Sequence, residues 1–313
     1  MSFTGLVSAS LLGPELASLL GSLPSPGSNS ISIGPLELRA YGLMIAIGVI
    51  VGVRMWGRRL ASIGAGDADD VGAVALWAVP AGVIGARLYH VATEWNRFSD
   101  SPGDIVKIWK GGLGIPGGIL LGVVVGVLVA RNKGLSLSPL LWAVAPGLAV
   151  AQAIGRWGNW FNQELFGGPT GLPWGLEVDP DKVADAGYAP GTLFHPTFLY
   201  ESLWNLALAA FLVWLGRRFV RRNPGRLLAV YLIGYGIGRF WIEGLRIDAT
   251  KEGGGLRLNQ WMAIVIVVGG ATYLIVDRLR HGRDPASDSD APATAPGDGD
   301  SSDDGPGEVP SSA

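Results

Sequence analysis

The sequence has no cysteine and few charged residues, and both shortages limit what the protein can be. Without cysteine there is no disulfide framework, no thiolate metal site and no cysteine nucleophile. Lys, Arg, Asp and Glu make up only 16% of the 313 residues, whereas soluble domains contain about 25%. If a thiol takes part in this protein's chemistry, the substrate must supply it.

Motifs for metal-dependent or serine-dependent hydrolysis are also missing. Three scattered histidines without an HExxH pattern argue against a catalytic metal, and there is no GxSxG turn. We therefore expect neither a metal nor a cofactor, and no nucleic-acid partner.

Long apolar stretches are what the sequence does contain. Hydrophobic residues form 49% of the chain, and its 48 glycines and 12 tryptophans are typical of membrane helices and their interfaces. A helix that crosses a bilayer needs about 20 mostly apolar residues. Seven stretches qualify, at about 38–56, 71–92, 111–130, 137–158, 197–215, 227–244 and 259–277. The sequence therefore predicts an all-α, polytopic integral membrane protein with seven transmembrane helices.

Charged residues alternate in sign between these stretches. Basic clusters follow the odd-numbered stretches, such as Arg54, Arg58 and Arg59 after the first, and acidic loops follow the second and fourth. Basic loops stay in the cytoplasm. The N-terminus is therefore predicted outside and the C-terminus in the cytoplasm.

Three regions follow from this pattern. Residues 1–36 are expected to lie on the outer membrane surface, because Met1–Pro24 is apolar but lacks the leading basic residues of a signal peptide. Residues 37–283 are expected to form a seven-helix membrane domain, whose outer loop 161–196 caps the outer face. Residues 284–313 hold eight of the 26 acidic residues and no basic one, and predict a disordered cytoplasmic tail. The remainder has 18 acidic and 24 basic residues, a net charge of +6.

Strongly polar residues collect at the outer ends of the predicted helices. This end holds Arg39, Tyr41, Arg87, His90, Arg156, Asn159, His195, Tyr200, Glu201, Arg239, Glu243, Arg246, Asn259 and Gln260. Spacing sharpens the pattern, since Tyr235, Arg239, Glu243 and Arg246 lie at i, i+4, i+8 and i+11, on one helical stripe. A site that faces outward is therefore predicted.

The arginines within this membrane layer have two explanations. An intramembrane arginine costs about 2.5–3.5 kcal/mol at a helix centre. Structural pairing of Arg239 with Glu243 and of Arg156 with Glu201 is one way to offset that cost. The other is a bound anion, because arginines outnumber carboxylates at this level and a guanidinium offers paired donors to phosphate. The excess favours a bound phosphate.

Glycines dominate the third predicted helix. Gly114, Gly118, Gly122 and Gly126 recur every four residues, and this pattern predicts close packing against a neighbouring helix, above all at Gly122 and Gly126. At the outer end, the glycine-rich start of this helix leaves free backbone N–H groups, which can bind an anion.

The segment GRWGNWFNQELFG (155–167) resembles the signature of the prolipoprotein diacylglyceryl transferase family. Arg156, Gly158, Asn159, Asn162, Glu164 and Gly167 match the family pattern, whereas Trp160 and Gln163 depart from it. Five other segments are similar to the family in its order: LRAYGLM (38–44), GARLY (85–89), GGLGIPGG (111–118), HPTFLYE (195–201) and IGYGIGRFWIEGLR (233–246). The resemblance covers about 36–280.

This resemblance implies an enzyme of the bacterial plasma membrane that moves the diacylglyceryl group of phosphatidylglycerol onto a prolipoprotein. The acceptor would be the thiol of the lipobox cysteine, just after the hydrophobic part of the signal peptide. The products would be a thioether and glycerol phosphate. A histidine proposed as the base in the family's glycine-rich loop is replaced by Pro116, so another group must take the thiol proton.

The implied reaction gives the polar residues roles. Charge collects on the departing phosphate, where fixed donors help most. Arg156 and Arg239 are the predicted clamp, supported by Arg246 and Arg87 and oriented by Glu243.

Other residues are predicted to surround this clamp. Asn159 would hold a phosphate or glycerol oxygen, and Tyr41 and Tyr235 would donate hydrogen bonds to the headgroup. The predicted lipid site is completed by Glu201, Gly117 and Gly118, and His195 and His90 are the alternative bases. Arg257, outside every motif, is expected to tolerate replacement by Lys or Ala.

Three rival functions compete with this interpretation. A secondary transporter needs polar residues at mid-depth and in the inner half, where these helices are apolar. A CDP-alcohol phosphotransferase needs clustered aspartates, which the membrane domain lacks. A purely structural scaffold does not explain the excess of arginine.

Overall fold

The structure is a computed structural model of the chain and describes residues 21–33, 36–99, 101–108, 111–219, 225–249 and 252–281. Two units make up the chain, Met1–Leu274 and Ile275–Ala313. The site lies in the first, and the described part of the second is the end of one helix. The predicted acidic tail and most of the predicted N-terminal surface segment lie outside the described residues.

Seven helices of 18 residues or more form the described bundle. They are α1 (Ala40–Ala61), α2 (Ala68–Thr93), α4 (Ile115–Asn132), α5 (Leu137–Asn162), α7 (Thr197–Phe219), α8 (Arg226–Glu243) and α9 (Leu258–His281). Two short helices, α3 (Trp95–Ser99) and α6 (Pro180–Asp185), and a 3₁₀ turn at Pro102–Val106 lie in the connections. Antiparallel hairpins precede α1 and α9: β1 (Ser30–Ile33) with β2 (Leu36–Arg39), and β3 (Glu252–Gly253) with β4 (Leu256–Arg257).

Six of these seven helices are long and apolar enough to cross a membrane. The exception is α8, whose 18 residues include Arg226, Arg239 and Glu243. Two of those three charges belong to the polar stripe predicted above, so the residues of the candidate site lower the apolar character of this helix. The helical class is confirmed and the protein is a multi-pass membrane protein, while a crossing by α8 stays a prediction.

Local sequence signals determine where several helices begin and end. At the start of α2, the Asp67 carboxylate accepts from the Asp70 N–H at 2.8 Å, and the Asp70 carboxylate accepts from the Asp67 N–H at 3.3 Å. This reciprocal cap satisfies N–H groups that have no partner inside the helix. A different signal ends α5, where Gln163 takes the left-handed conformation with φ 49°. That turn redirects the chain over the end of the bundle where the polar residues lie.

Glycine faces bring two pairs of helices together. In the pair α1 and α5, a Cβ on Gly48 would lie 2.8 Å from the Ala151 carbonyl oxygen, and one on Gly52 would lie 3.0 Å from that of Gly147. Real Cβ atoms essentially never come within 2.8 Å of a backbone oxygen, so glycine is required at position 48 for the two backbones to touch. At position 52 a Cβ would be tighter than most real contacts, and glycine there favours the same close approach.

The glycine repeat of α4 packs against α2. A Cβ on Gly122 would lie 3.2 Å from the Ala78 carbonyl oxygen, and one on Gly126 would lie 3.4 Å from the Ala78 Cβ. The packing predicted for Gly122 and Gly126 is confirmed. Gly117 and Gly118 lie against the same helix, beside the carbonyl oxygens of Gly85 and Gly82.

A cluster of buried apolar residues occupies the half of the bundle away from the polar residues. It joins Leu60 of α1, Val71 of α2, Trp142 of α5, Leu212 of α7 and Leu227 of α8. These positions lie where α1 and α7 end and where α2, α5 and α8 begin. Polar chemistry and apolar packing therefore occupy opposite ends of the same helices.

Candidate functional site

A fully buried carboxylate, Glu243, lies at the centre of the polar end. Its Oε2 is 2.8 Å from Arg239 Nη2 and 3.3 Å from Arg246 Nη1, because the three residues follow each other at i, i+4 and i+7. Its Oε1 is 3.2 Å from Arg257 Nε and accepts from Asn259 Nδ2 at 3.1 Å. Charges removed from water need such complete pairing, and three guanidiniums share this one carboxylate.

A second buried carboxylate, Glu201, extends the network to α5 and α7. Arg156 Nε lies 2.7 Å from Glu201 Oε2, and Arg239 Nη1 lies 3.7 Å from the same oxygen. Arg239 therefore bridges Glu201 and Glu243. Both structural pairs considered for these arginines are present.

Asp248, in the loop after α8, is the third carboxylate. Its oxygens accept from Arg246 Nε at 2.7 Å and from Arg246 Nη2 at 2.9 Å, and Arg257 Nη2 lies 3.1 Å away. Burial by itself raises the pKa of the Asp248 carboxyl, but hydrogen bonds and charge from the two arginines outweigh burial and lower that pKa. Asp248 is therefore ionised at neutral pH.

Within the described part of the chain, this ion-pair network holds four arginines and three carboxylates. The imbalance leaves one positive charge. The side chains of Arg156 and Arg239 are 19% and 15% exposed, whereas those of Arg246 and Arg257 are 5% and 9% exposed. An anion can therefore approach Arg156 and Arg239 but not the inner pair.

Arg156 has the most donor capacity left. Its Nε faces Glu201, and among the described residues no carboxylate pairs with its two Nη groups. Two Nη groups on one planar guanidinium match the spacing of phosphate oxygens. Structural pairing and anion binding are therefore compatible at Arg156, because they use different edges of the same side chain.

A small cavity adjoins this network. Its lining consists of Glu201, Trp204, Asn205, Tyr235, Gly238, Arg239 and Ile242. Asn205 donates from Nδ2 to the Glu201 carbonyl oxygen, while its buried Oδ1 has no hydrogen-bond partner among the described residues. The cavity places Tyr235 beside Arg239, as the stripe of α8 predicts.

Tyr41 and Asn159 lie on α1 and α5 near the same end. A Cβ on Gly158 would lie 2.6 Å from Tyr41 Cδ2, so the glycine makes room for the tyrosine ring. Asn159 is buried and donates from Nδ2 to Glu164 Oε1 at 2.8 Å. The amide of Asn159 is therefore already engaged with a carboxylate.

The loop between α5 and α7 connects His195 to the network. Gly167 N–H donates to the His195 carbonyl oxygen at 2.9 Å, and Gly168 N–H donates to that of Leu245 at 2.8 Å. His195 Nδ1 lies 3.1 Å from the Tyr200 hydroxyl. Burial lowers the pKa of His195, so its imidazole is neutral at pH 7 and can accept a proton.

Arg87 has a different environment from the one predicted. Its guanidinium donates to the carbonyl oxygens of Asp104, Ile105, Gly111 and Gly112 at 2.5 to 2.9 Å. Four backbone acceptors saturate most of its donors, so Arg87 fixes the loop between α2 and α4. His90 packs beside the same loop, against Gly112. Binding of the lipid by Gly117, Gly118 and Arg87 stays a prediction.

Arg257 differs from the expectation that it would tolerate replacement by Lys or Ala. It is buried, ion-paired with Glu243 and Asp248, and donates to the carbonyl oxygens of Glu243, Arg246 and Asp248 at 2.6 to 3.2 Å. The available signal was the glycine run 253–255, where Gly254 and Gly255 have φ 60° and 77°. That turn folds β4 back toward the end of α8.

Replacing Arg257 with Ala should therefore lower stability, contrary to the expectation from sequence. The change would leave Glu243 and Asp248 short of one buried cationic partner, at a cost of about 3–5 kcal/mol. The measurement is the melting temperature of the purified protein, with the exposed Arg97 replaced by Ala as a matched control. Equal melting temperatures for the two variants would contradict the buried role.

Known proteins of one family match most of the chain. A sequence model of the family described as prolipoprotein diacylglyceryl transferase matches residues 28–276. The phosphatidylglycerol–prolipoprotein diacylglyceryl transferase of Streptomyces griseus is 47% identical over 281 residues, which are 88% of this chain and 84% of the relative. The protein of the same name from Frankia alni is 49% identical over 263 residues, covering 83% of this chain and 68% of the relative. The one from Synechococcus elongatus is 44% identical over 255 residues, covering 80% and 87%.

Proposed function

The chain belongs to the prolipoprotein diacylglyceryl transferase family, and from this premise we propose how its residues perform the transfer. The protein is a transferase that moves the diacylglyceryl group of phosphatidylglycerol to prolipoproteins. The acceptor in the proposal is the thiolate of a lipobox cysteine. Its sulfur attacks the glycerol carbon that carries the phosphate oxygen, the C–S bond forms, the C–O bond breaks, and glycerol phosphate leaves with the electron pair.

Arg156 and Arg239 hold the phosphate in this mechanism. The single observation that carries the assignment is the excess of one arginine over the carboxylates, located on the two most accessible members of the network. Negative charge increases on the phosphate as the C–O bond breaks, and donors fixed in advance stabilise that charge most. Glu201 and Glu243 keep both guanidiniums in place.

The thiol proton requires an acceptor, for which we assign His195. A free thiol has a pKa of about 8.5, so an electropositive site already favours the thiolate at neutral pH. The half-buried, neutral imidazole of His195 has the protonation state of a base. His90 is the less favoured alternative because it packs in the loop that Arg87 braces.

The remaining residues of the proposed site contact the headgroup. Tyr235 lies beside Arg239 in the small cavity and donates a hydrogen bond to the lipid, and Tyr41 does the same from α1. Asn159 positions Glu164 and through it the turn after α5. Arg246 does not contact the lipid itself in this proposal, because its guanidinium is already paired with Glu243 through Nη1 and with Asp248 through Nε. Its role is to hold Glu243 in place.

The test is a reconstitution with purified protein, phosphatidylglycerol and a synthetic lipobox peptide. The peptide should gain the mass of one diacylglyceryl group, and glycerol phosphate should appear in equal amount. A peptide whose cysteine is replaced by serine is the control. Glycerol phosphate released without modification of the cysteine peptide would contradict the transfer mechanism.

The proposed topology has seven spans, the N-terminus outside, the C-terminus in the cytoplasm and the site facing outward across a bacterial plasma membrane. Support comes from the alternation of charge along the chain. Because the chain lacks cysteine, single-cysteine variants can be labelled without background. Tyr188→Cys, in the loop between α5 and α7, should react with an impermeant maleimide on intact cells.

Asn132→Cys is the matched control. It lies at the end of α4 that the proposed topology places in the cytoplasm, so it should react only after permeabilisation. The reverse pattern would overturn the outward site.

A further inference from the structure

A groove lies on the side of the bundle, between α1, α5 and α7, and runs from the middle of these helices toward the end remote from the site. It measures about 620 Å³ and is lined by Met55, Val150, Leu206, Ala209, Ala210, Val213, Trp214 and Arg217. Arg217 follows Glu201 by 16 residues on α7, which is about 24 Å along a helix. The charged end of the groove is therefore far from the arginine–carboxylate network, and no residue of that network lines the groove.

Arg59 of α1 lies next to Arg217, the last residue of the groove lining, and no carboxylate pairs with it among the described residues. Its guanidinium carbon lies 4.1 Å from the centre of the Trp142 ring, and its Nη2 lies against Gly216 of α7. The Nε and Nη2 atoms are buried and have no hydrogen-bond partner among the described residues. The charge of Arg59 is also close enough to that of Arg217 for the two to repel each other.

Such an arrangement is unfavourable unless an anion joins it. Buried guanidinium N–H groups without acceptors lose their hydration, and repulsion between like charges adds to that loss. Among the described residues no carboxylate pairs with Arg59 or Arg217. Elsewhere at this end the chain does provide partners, such as Asp70 for Lys133 at 3.0 Å.

We propose that this groove binds an anionic phospholipid, with its phosphate at Arg59 and Arg217 and an acyl chain along α7. The apolar lining from Leu206 to Arg217 extends over about 16 Å of helix, which suits an extended acyl chain. In the proposed topology this end lies in the cytoplasmic leaflet, where anionic lipids accumulate near basic clusters.

Charge argues against two other occupants. A signal peptide begins with a basic region, which the two arginines would repel. A second copy of this chain would bring the same two cations to the contact. The phospholipid is the occupant whose charge complements both arginines and whose tail matches the apolar lining.

The experiment titrates dioleoylphosphatidic acid into the purified full chain and counts bound lipids by native mass spectrometry. Arg59→Gln and Arg217→Gln should each lower the affinity for one of the bound lipids about fivefold. Ala210→Phe should abolish binding of that lipid by filling the groove. Two matched controls should behave like the unmodified chain: Arg131→Gln, which removes a charge at the same end, and Ala207→Phe, one turn away on α7 and outside the groove lining.

Two results would overturn the proposal. One is an unchanged lipid count in Ala210→Phe, and the other is a loss in Arg131→Gln as large as that in Arg59→Gln, which would indicate diffuse attraction. If Arg59→Gln fails to fold, Arg217→Gln and Ala210→Phe decide the question. Transfer activity is not part of the readout, so its outcome is independent of the proposed function.

Discussion

Replacing Arg156 or Arg239 by lysine should lower turnover of a lipobox peptide about 10²–10³-fold. Lysine keeps the positive charge but has one ammonium in place of a planar fork. At position 156 the ammonium can pair with Glu201 or with the phosphate, whereas the guanidinium uses Nε for the first and its two Nη groups for the second. At position 239 it cannot reach Glu201 and Glu243 together.

The measurement compares initial rates of variants matched for membrane abundance and melting temperature. Arg97→Lys, at an exposed position on α3, is the control and should be fully active. Near-normal rates for both site variants would leave Arg156 and Arg239 as ion-pair partners of Glu201 and Glu243 alone, and the phosphate clamp would be refuted.

Replacing Glu243 by glutamine should destabilise the protein by about 3–5 kcal/mol, because one buried negative charge is removed from among three arginines. Glutamine preserves the shape, so the effect isolates charge. The measurement is the melting temperature in detergent, together with the amount of protein that accumulates in the membrane. Glu94→Gln, on the exposed residue that follows α2, provides the control.

A second substitution tests the cause. If uncompensated charge is responsible, the double variant Glu243→Gln with Arg257→Gln should lose less stability than the two single variants lose in sum. Strict additivity would show that packing, and not charge balance, accounts for the effect of Glu243.

The helices could be predicted to within a few residues from apolar length. The stretch 137–158 became Leu137–Asn162, and 197–215 became Thr197–Phe219. An apolar stretch of this length predicts a helix because, in lipid, every backbone N–H and C=O group needs a partner within the chain, and a helix provides those partners. The stretch 227–244 was predicted to span the membrane like the other six. In the structure it is the helix α8, which has too many charged residues to count as a candidate span, so its crossing stays a prediction.

The candidate site was predictable where it depends on spacing along one helix. Arg239, Glu243 and Arg246 were expected on one stripe, and they meet. Contacts that depend on loops were not predictable. The ion pairs of Arg257 require a turn of three glycines, and the partners of Arg87 are backbone carbonyls, which no side-chain pattern encodes.

The contact between α1 and α5 has a consequence for how the chain is made. Gly52 and Gly147 touch in the finished bundle but are separated by 95 residues, and α2 and α4 lie between them in sequence. At synthesis rates of about 5–20 residues per second, roughly 5–20 s pass before the second glycine follows the first out of the ribosome. During that interval α1 must remain in the bilayer with its glycine face against lipid, while α2 and α4 can already pair.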